Sequence, residues 1–288
     1  MTFPTNQNQG FKRVWLITGA SRGMGALIAK AALAEGDAVV AAGRSIDTIV
    51  AALAEGPALL PVRLDVTREA EALTAVQAAL ARFGRIDVLV NNAGFGLLGA
   101  VEESSDAETR RQYETNVFGL LNVTRAVLPS MRARRAGHVI NFSAIAGYRS
   151  VAGFGVYSST KFAVEGLSEA LHDELAPLGI HVTVVEPGFF RTDFLDASSL
   201  AVSPNVIEDY EATAGAVRSQ TASWNHQQPG DPKKLAKAMV ELVRAQTPPL
   251  RLPLGTDTLN TIAQKNESVA LEMETWRALS ASTDFAAD

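Results

Sequence analysis

The chain contains no cysteine. That excludes disulfides, a thiolate nucleophile and cysteine-ligated metals, and it suits a reducing compartment. Histidine is scarce too. His138, His172, His181 and His226 are scattered, and no pair stands at metal-site spacing with a carboxylate, so no metal is expected. Ser158 and Ser159 have no His/Asp arrangement in the sequence to activate them, which argues against a hydrolase. Positive charge is not in excess: 26 Lys and Arg stand against 31 Asp and Glu, a net charge of -5. No basic stretch has the density of a phosphate-tracking groove, and Arg132, Arg134 and Arg135 read as cations at a helix C-terminus, so no nucleic-acid partner is expected. No apolar run approaches the roughly 18 residues that span a bilayer, and the opening MTFPTNQNQGFKR lacks the apolar core of a signal peptide. The expectation is a soluble cytoplasmic protein without a membrane partner.

What the chain does have is 47% hydrophobic residues arranged in alternating patterns. Runs nearly continuous in Val, Ile and Leu stand at 14–18, 38–43, 59–66, 86–92, 138–143 and 181–187, and a short strand is expected near Leu250–Leu254. The runs read as strands buried on both faces. Helical stretches lie between them, at 25–35, 71–83 and as one long helix over about 106–135. The alternation predicts an α/β fold, a doubly wound, mostly parallel seven-stranded sheet with helices on both faces. No linker divides the chain, so residues 1–288 read as a single Rossmann-type domain. Residues 189–230 read as a substrate-side insertion with short helices, and 257–288 as a C-terminal helical extension. The hexapeptide AALAEG occurs at 31–36 and 51–56; two helices ending on a glycine cap explain it better than a repeat architecture.

The first strand runs into TGASRGMG and then directly into a helix. Gly19 permits the tight turn, Gly23 lets the backbone approach a pyrophosphate, and Gly25 lets the helix pack on the strand. Ser21, Arg22 and Met24 complete the loop, and the helix N-terminus offers its free N–H groups to an anion. Dinucleotide binding is the expectation. NAD enzymes place an acid at the end of the second strand for the ribose 2′-hydroxyl; here that strand ends Gly43-Arg44. Arg44 and Arg22 suit a 2′-phosphate, which places NADP ahead of NAD.

With the motifs that follow, the chain resembles the short-chain dehydrogenase/reductase family over roughly residues 12–195. Asp65-Val66 after the third strand resembles its adenine contact. Asn91-Asn92-Ala93-Gly94 resembles its NNAG motif, and Asn116 in ETNVFG its helix asparagine. Tyr157-Ser158-Ser159-Thr160-Lys161 resembles its YxxxK motif, and Pro187-Gly188 with Thr192 the segment that grips the nicotinamide carboxamide. The later part resembles the hydroxysteroid-dehydrogenase-like branch. The resemblance implies a hydride transfer in which Tyr157 is the acid/base. Lys161, one helical turn on, is expected to lower the Tyr157 pKa and to bond the nicotinamide ribose, and Asn116 to hold a water leading to solvent.

One position departs from the family. Its substrate-polarising serine stands thirteen residues before the tyrosine, which here is Ala144; Ser143 is one place earlier. Either the strand end bends so that Ser143 reaches in as a catalytic residue, or the contact is missing, at a cost of roughly 3 kcal/mol in the transition state. On the substrate side, Phe95, Leu97, Leu98, Ile145, Tyr148, Phe154, Phe189, Phe190, Phe194 and Trp224 favour a lipophilic ligand. Arg149 reads as a surface arginine before it reads as a substrate-carboxylate partner. The sequence therefore predicts an NADP(H)-dependent oxidoreductase acting on a small-molecule carbonyl or secondary alcohol, assembled as a homodimer or homotetramer. The alternative from another class is an NADP(H)-sensing regulatory module; a dehydratase or epimerase would also use the tyrosine.

Overall fold

A computed structural model describes residues 10–285. The expected strands form one seven-stranded, fully parallel sheet: β1 Val14–Thr18, β2 Ala38–Gly43, β3 Leu59–Arg63, β4 Val88–Asn91, then β6 Gly137–Phe142, β7 Ile180–Pro187 and β9 Arg251–Leu254. Their spatial order is β3-β2-β1-β4-β6-β7-β9. The order reverses between β1 and β4, the switch point where ligands of such sheets bind beyond the strand C-termini.

Both sheet faces are covered because successive residues point to opposite sides. Leu16, Val40, Leu89 and Val139 pack under Ala75 and Val76 of α3 (Glu69–Phe83) and Val123 and Val127 of α5 (Gly119–Arg134). Ile17, Val39, Val90, Ile140 and Val185 pack under Ile28 and Ala32 of α1 (Gly23–Ala34) and Leu235 and Met239 of α8 (Pro232–Arg244). The elements have local causes. Asp231 accepts from Lys233 N at 2.8 Å with Pro232 at the first turn of α8, and Ser105 with Glu108 forms a capping box on α4 (Asp106–Tyr113). α6 (Gly155–Leu175) joins α5 on its side of the sheet through Val164, which meets Leu120 and Val184.

Three expectations change in detail. The long helix over 106–135 is α4 and α5 joined by one wider π-type turn, Glu114–Phe118. The side-chain amide of Asn116 in that turn is bonded to the main chain of Phe95, a tertiary contact that no helical periodicity records. Of the two AALAEG segments, the first ends on Gly36 at φ +82°. In the second, α2 (Ile46–Leu53) stops earlier, and Ala54 takes the positive φ. The C-terminal helix breaks at Trp276 into α9 (Thr256–Thr275) and α10 (Arg277–Ala281); the last three positions of the expected extension lie outside the described residues.

The 189–230 segment carries α7 (Ala216–Trp224) and short 3₁₀ and π turns, as expected of an insertion with short helices, and also a strand. β8 (Leu200–Val202) pairs in parallel with β5 (Gly96–Leu98), which follows the NNAG motif. This lobe is tied down by one carboxylate. Glu103, 2% exposed, accepts from Ala100 N at 2.7 Å, Ile207 N at 3.0 Å and Arg218 Nη2 at 2.6 Å. The Ile207 N–H foremost, then Ala100 and Arg218, hold it below the ordinary glutamate value of 4.5 against the effect of burial. A depressed folded-state pKa contributes stability above the unfolded value and loses it as pH falls. Glu103→Gln is therefore expected to leave Arg218 without its buried partner and to destabilise the lobe by about 2–3 kcal/mol. Amide exchange at 203–218 should rise selectively, as it should in the unmutated protein on acidification below the glutamate range. Unchanged protection there would show that the clamp is dispensable.

Candidate active site

The carboxyl edge of the sheet opens into a cavity of about 1240 Å³. It is bordered by every residue that the sequence proposed for cofactor or catalysis except Gly25 and Asn116, which stand behind its wall. At one end are Gly19, Ser21, Arg22, Gly23, Met24, Arg44, Asp65 and Val66; in the middle Asn92, Ala93, Gly94 and Lys161. At the other end, Tyr157, Ser143, Pro187, Gly188 and Thr192 meet the apolar side chains Phe154, Phe189, Phe194 and Trp224.

The glycine end is a cradle that side chains would fill. Gly19 has φ +66°, and a Cβ on Gly25 would lie 2.4 Å from Gly19 O and 2.6 Å from Asn92 Nδ2. Asn92 in turn donates to Thr18 O at 2.9 Å, and Thr18 Oγ1 accepts from both Asn92 N and Ala93 N at 3.0 Å. β1, β4 and the turn are thus bonded into one unit beneath the first turn of α1, whose N-cap residue makes no side-chain cap. Free N–H groups at the helix start, beside Gly23, where an added Cβ would meet nothing within 4 Å, fit the diphosphate of a dinucleotide. Asp65, beneath Thr67, is suited to the adenosine end. Burial would raise its pKa, but the Thr67 hydroxyl and N–H, with Arg68 and Arg44, hold it lower. The two arginines part ways. Arg44 stands exposed at the end of β2, whereas Arg22 reaches across to the substrate-side loop and donates to Ser198 O at 2.6 Å and Ser199 Oγ at 2.9 Å.

At the chemical end, Tyr157 and Lys161 are both buried on one face of α6. The Lys161 ammonium lies 5.8 Å from the centre of the Tyr157 ring and donates to Phe142 O at 2.8 Å. A Cβ on Gly94 would meet Asn116 Oδ1 at 3.1 Å and Lys161 Nζ at 3.8 Å, so the three groups converge. Asn116 accepts from Phe95 N at 3.1 Å and donates to Phe95 O at 3.0 Å and Thr160 Oγ1 at 3.1 Å. Burial acts on both titrating groups, raising the Tyr157 phenol above its ordinary value and lowering Lys161 to about 8. Burial is the cause that raises Tyr157, and the Lys161 ammonium is bonded to the Phe142 carbonyl. Phe194 and Phe154 flank the tyrosine ring at 5.7 and 6.1 Å.

Ser143 and Ala144 both border the cavity, but their side chains differ in employment. Ser143 Oγ donates to Lys161 O at 3.4 Å, and a Cβ on Gly147 would land 2.2 Å from that oxygen and 3.1 Å from Glu165 Oε1. The hydroxyl is therefore packed against the α6 backbone and Glu165. Ala144, extended at φ -171°, offers a methyl.

Two contributors escaped the sequence reading. Asp257, at the start of α9, accepts from Phe189 N at 2.7 Å, and a Cβ on Gly188 would fall 2.2 Å from its Oδ1. It braces the segment after Pro187 from a position 68 residues beyond Phe189, a separation that no local motif spans. Glu165, one turn beyond Lys161, was legible only as a helical acid. Arg149 is exposed and donates to Gln264 of α9 at 3.3 Å, and it also borders the cavity. Among the described residues no group of His, Asp and Glu could hold a metal, and no helix is long and apolar enough to cross a membrane. His138 is bonded to Thr183; burial first, and then the neighbouring His181, push its pKa down to about 3, and it takes no part in the cavity.

Comparison with known proteins agrees with this geometry. The profile of the short chain dehydrogenase family matches residues 13–202. Oxidoreductase BOA17 of Botryotinia fuckeliana is 38% identical over 270 residues, 93% of this chain and 98% of its own. The 3-ketodihydrosphingosine reductase of Bacteroides thetaiotaomicron is 37% identical over 244 residues, 84% and 88% of the two chains. A short-chain dehydrogenase from Streptomyces avermitilis superposes with a TM-score of 0.87 at 42% identity, covering 95% of this chain and 99% of that one. Similar folds have been solved with either cofactor. A Burkholderia phymatum member in complex with NAD has a TM-score of 0.78 at 26% identity over 91% and 95% of the chains, and a serine dehydrogenase with NADP+ 0.70 at 27% over 84% and 94%. By fold, site and sequence, the chain belongs to the short-chain dehydrogenase/reductase family of oxidoreductases, whose members are built around a nicotinamide dinucleotide.

Proposed function

We propose that the chain is an NADP(H)-dependent reductase of lipophilic ketones, or the corresponding alcohol dehydrogenase. The observation that carries this reading is the shared cavity: the glycine cradle and Arg44 border one end, Tyr157 and Lys161 the other, inside apolar walls. The bound nicotinamide would supply or accept the hydride at the carbonyl carbon. Gly19, Gly23 and the first turn of α1 would hold the diphosphate, Asp65 and Val66 the adenosine, and Pro187, Gly188 and Thr192 the nicotinamide. Tyr157 gives its proton to the substrate oxygen on reduction and takes it back on oxidation. Lys161 holds positive charge beside it, and Asn116 fixes the Phe95 backbone that closes this corner. Phe189 against Trp224, ring centres 5.4 Å apart, and Phe194 over Tyr157 favour an apolar substrate. A relative named for reducing a keto group supports the direction.

Arg44, beside a β2 end that lacks an acid, supports NADP over NAD. Arg22 joins it only by releasing Ser198 and Ser199. NADPH is expected to bind at least tenfold more tightly than NADH, about 1.4 kcal/mol. Arg44→Leu should remove most of that preference while leaving NADH unaffected, because an apolar side chain gives up the charge-assisted bonds to a 2′-phosphate. Equal dissociation constants for the two cofactors in the unmutated protein would refute the assignment.

Tyr157→Phe is expected to lower turnover of any reduced ketone by at least about a hundredfold, with NADPH affinity held within a few fold. Full activity in the Tyr157→Phe variant would overturn the acid assignment. The second reading, an NADP(H) sensor without turnover, draws support from the methyl at position 144. It predicts NADPH binding with no oxidation at 340 nm across a broad panel of ketones and alcohols. For assembly, we assign a two-fold homo-oligomer to the α5/α6 side, where Phe118 and Phe162 are nearly half exposed. A monomeric mass by light scattering at assay concentration would remove that assignment.

A further inference from the structure

Behind Lys161 lies a partly buried charged cluster that the proposed reaction leaves unused. Arg251 of β9 donates from Nη1 to Glu186 Oε1 of β7 at 2.8 Å and pairs with Glu165 and Glu169 of α6. Glu186 is wholly buried and Glu165 nearly so, while Arg251 lies over the Tyr148 ring at 5.7 Å. Three carboxylates surround one guanidinium, and the arrangement leaves two carboxylate oxygens buried without a hydrogen-bond partner, Glu186 Oε2 and Glu165 Oε1. The latter does not face the arginine side. It lies next to Gly147, where Ser143 Oγ and Lys161 O also converge; a Cβ on Gly147 would be 2.2 Å from the serine oxygen and 3.1 Å from each of the other two. Lys161 is therefore held at two points by one dipeptide. Phe142 O takes its ammonium, and the Ser143 hydroxyl takes its carbonyl, with the Glu165 carboxyl behind that hydroxyl.

Resting on the Tyr157/Lys161 reading, we propose that Glu165, acting through Ser143, is a positioning residue that fixes Lys161 and keeps its ammonium charged, and that Ser143 is part of this brace and not the donor to the substrate oxygen. The charged and titratable groups facing Glu165 are Lys161 and Glu169 on its own helix, Glu186 on β7, Arg251 on β9 and, beneath the guanidinium, Tyr148. Arg251 engages all three carboxylates, Glu186 through Oε1, Glu169 through Oε1 and Glu165 through Oε2, so that Glu165 Oε1 alone of its two oxygens is turned toward Ser143. Burial pushes the Glu165 carboxyl up to about 7 against the lowering effect of the Ser143 hydroxyl, and above that pH its charge raises the pKa of Lys161 against the lowering effect of burial. Loss of that charge makes the ammonium give up its proton at lower pH.

The test needs no knowledge of the natural substrate. Competitive acetylation of the full chain with acetic anhydride, read by peptide mass spectrometry from about pH 6 to pH 11, reports the titration of Lys161 against the exposed lysines. In Glu165→Gln, Lys161 is expected to titrate at least about half a pH unit lower, with the exposed lysines unmoved. With any ketone that the unmutated enzyme reduces, the alkaline limb of kcat should move down by the same amount, and KM on the acid side should stay as it was. Ser143→Ala, a smaller change if the glutamine variant folds poorly, should lower kcat by less than about tenfold with ketone KM unchanged. A serine acting on the substrate oxygen would cost about a hundredfold or more. An unshifted Lys161 in folded Glu165→Gln, or a hundredfold loss in Ser143→Ala, overturns the brace. Full activity in Lys161→Ala would instead overturn the catalytic reading on which the brace rests.

Discussion

A buried ammonium with a single backbone acceptor is the constraint around which this site is organised. Lys161 donates to Phe142 O at the end of β6 and is buried at the cavity wall. Taking a cation out of water is costly unless charge and hydrogen bonds are supplied to it, and the cost appears as the lowering of its pKa to about 8. The surroundings answer that cost in layers. Gly94 carries no side chain, so Asn116 and Lys161 can approach each other. Ser143 steadies the lysine's own turn, and Glu165 places negative charge behind it. A site built in this way has Tyr157 and the buried cation on one helix, and the ligand end of the cavity is built from other elements.

That ligand end depends on a lobe whose backbone is stitched to the scaffold at few points. β8 pairs with β5, Glu103 collects the 203–218 stretch, and Arg22 bonds the 198–199 backbone and hydroxyl from the other side of the cavity. Arg22 belongs to the glycine loop, so cofactor end and substrate lobe share one side chain. Asp257 adds a second link, from the C-terminal helix to the segment after β7. The cavity is thus closed by contacts among segments far apart in the chain, with Phe154, Phe189, Phe194 and Trp224 on its substrate side.

Much of this was legible because buried parallel strands and glycine turns leave local signatures. Val, Ile and Leu runs announced the strands, TGASRGMG the cradle, and the four-residue spacing of Tyr157 and Lys161 their common helical face. The wide turn at Asn116 was not legible, because it accompanies bonds to Phe95, twenty-one residues away. Nor was the strand in the 189–230 segment: Leu200–Val202 has no strand pattern of its own and becomes one by pairing with Gly96–Leu98.

The amino-acid sequence by itself determined the fold class and the family, through the periodicity of its strands and helices and the order of its motifs, while the resemblance pointed to Tyr157 and Lys161 and their four-residue spacing put them on one face of α6. It left Ser143 and Ala144 as two open possibilities, because alternation along a strand says that neighbours diverge and not which of them faces the ligand. Tertiary structure decided where the serine hydroxyl goes. It packs against Gly147, the Lys161 carbonyl and Glu165, an environment assembled from β6, the turn after it and α6. The charge cluster behind the lysine was decided in the same way. Glu165, Glu186 and Arg251 are separated by 21 and 65 residues, and only the pairing of β7 with β9 under α6 brings three acids to one guanidinium. Electrostatic fields act through space and not along the chain, which is why that part of the site had no signature to read.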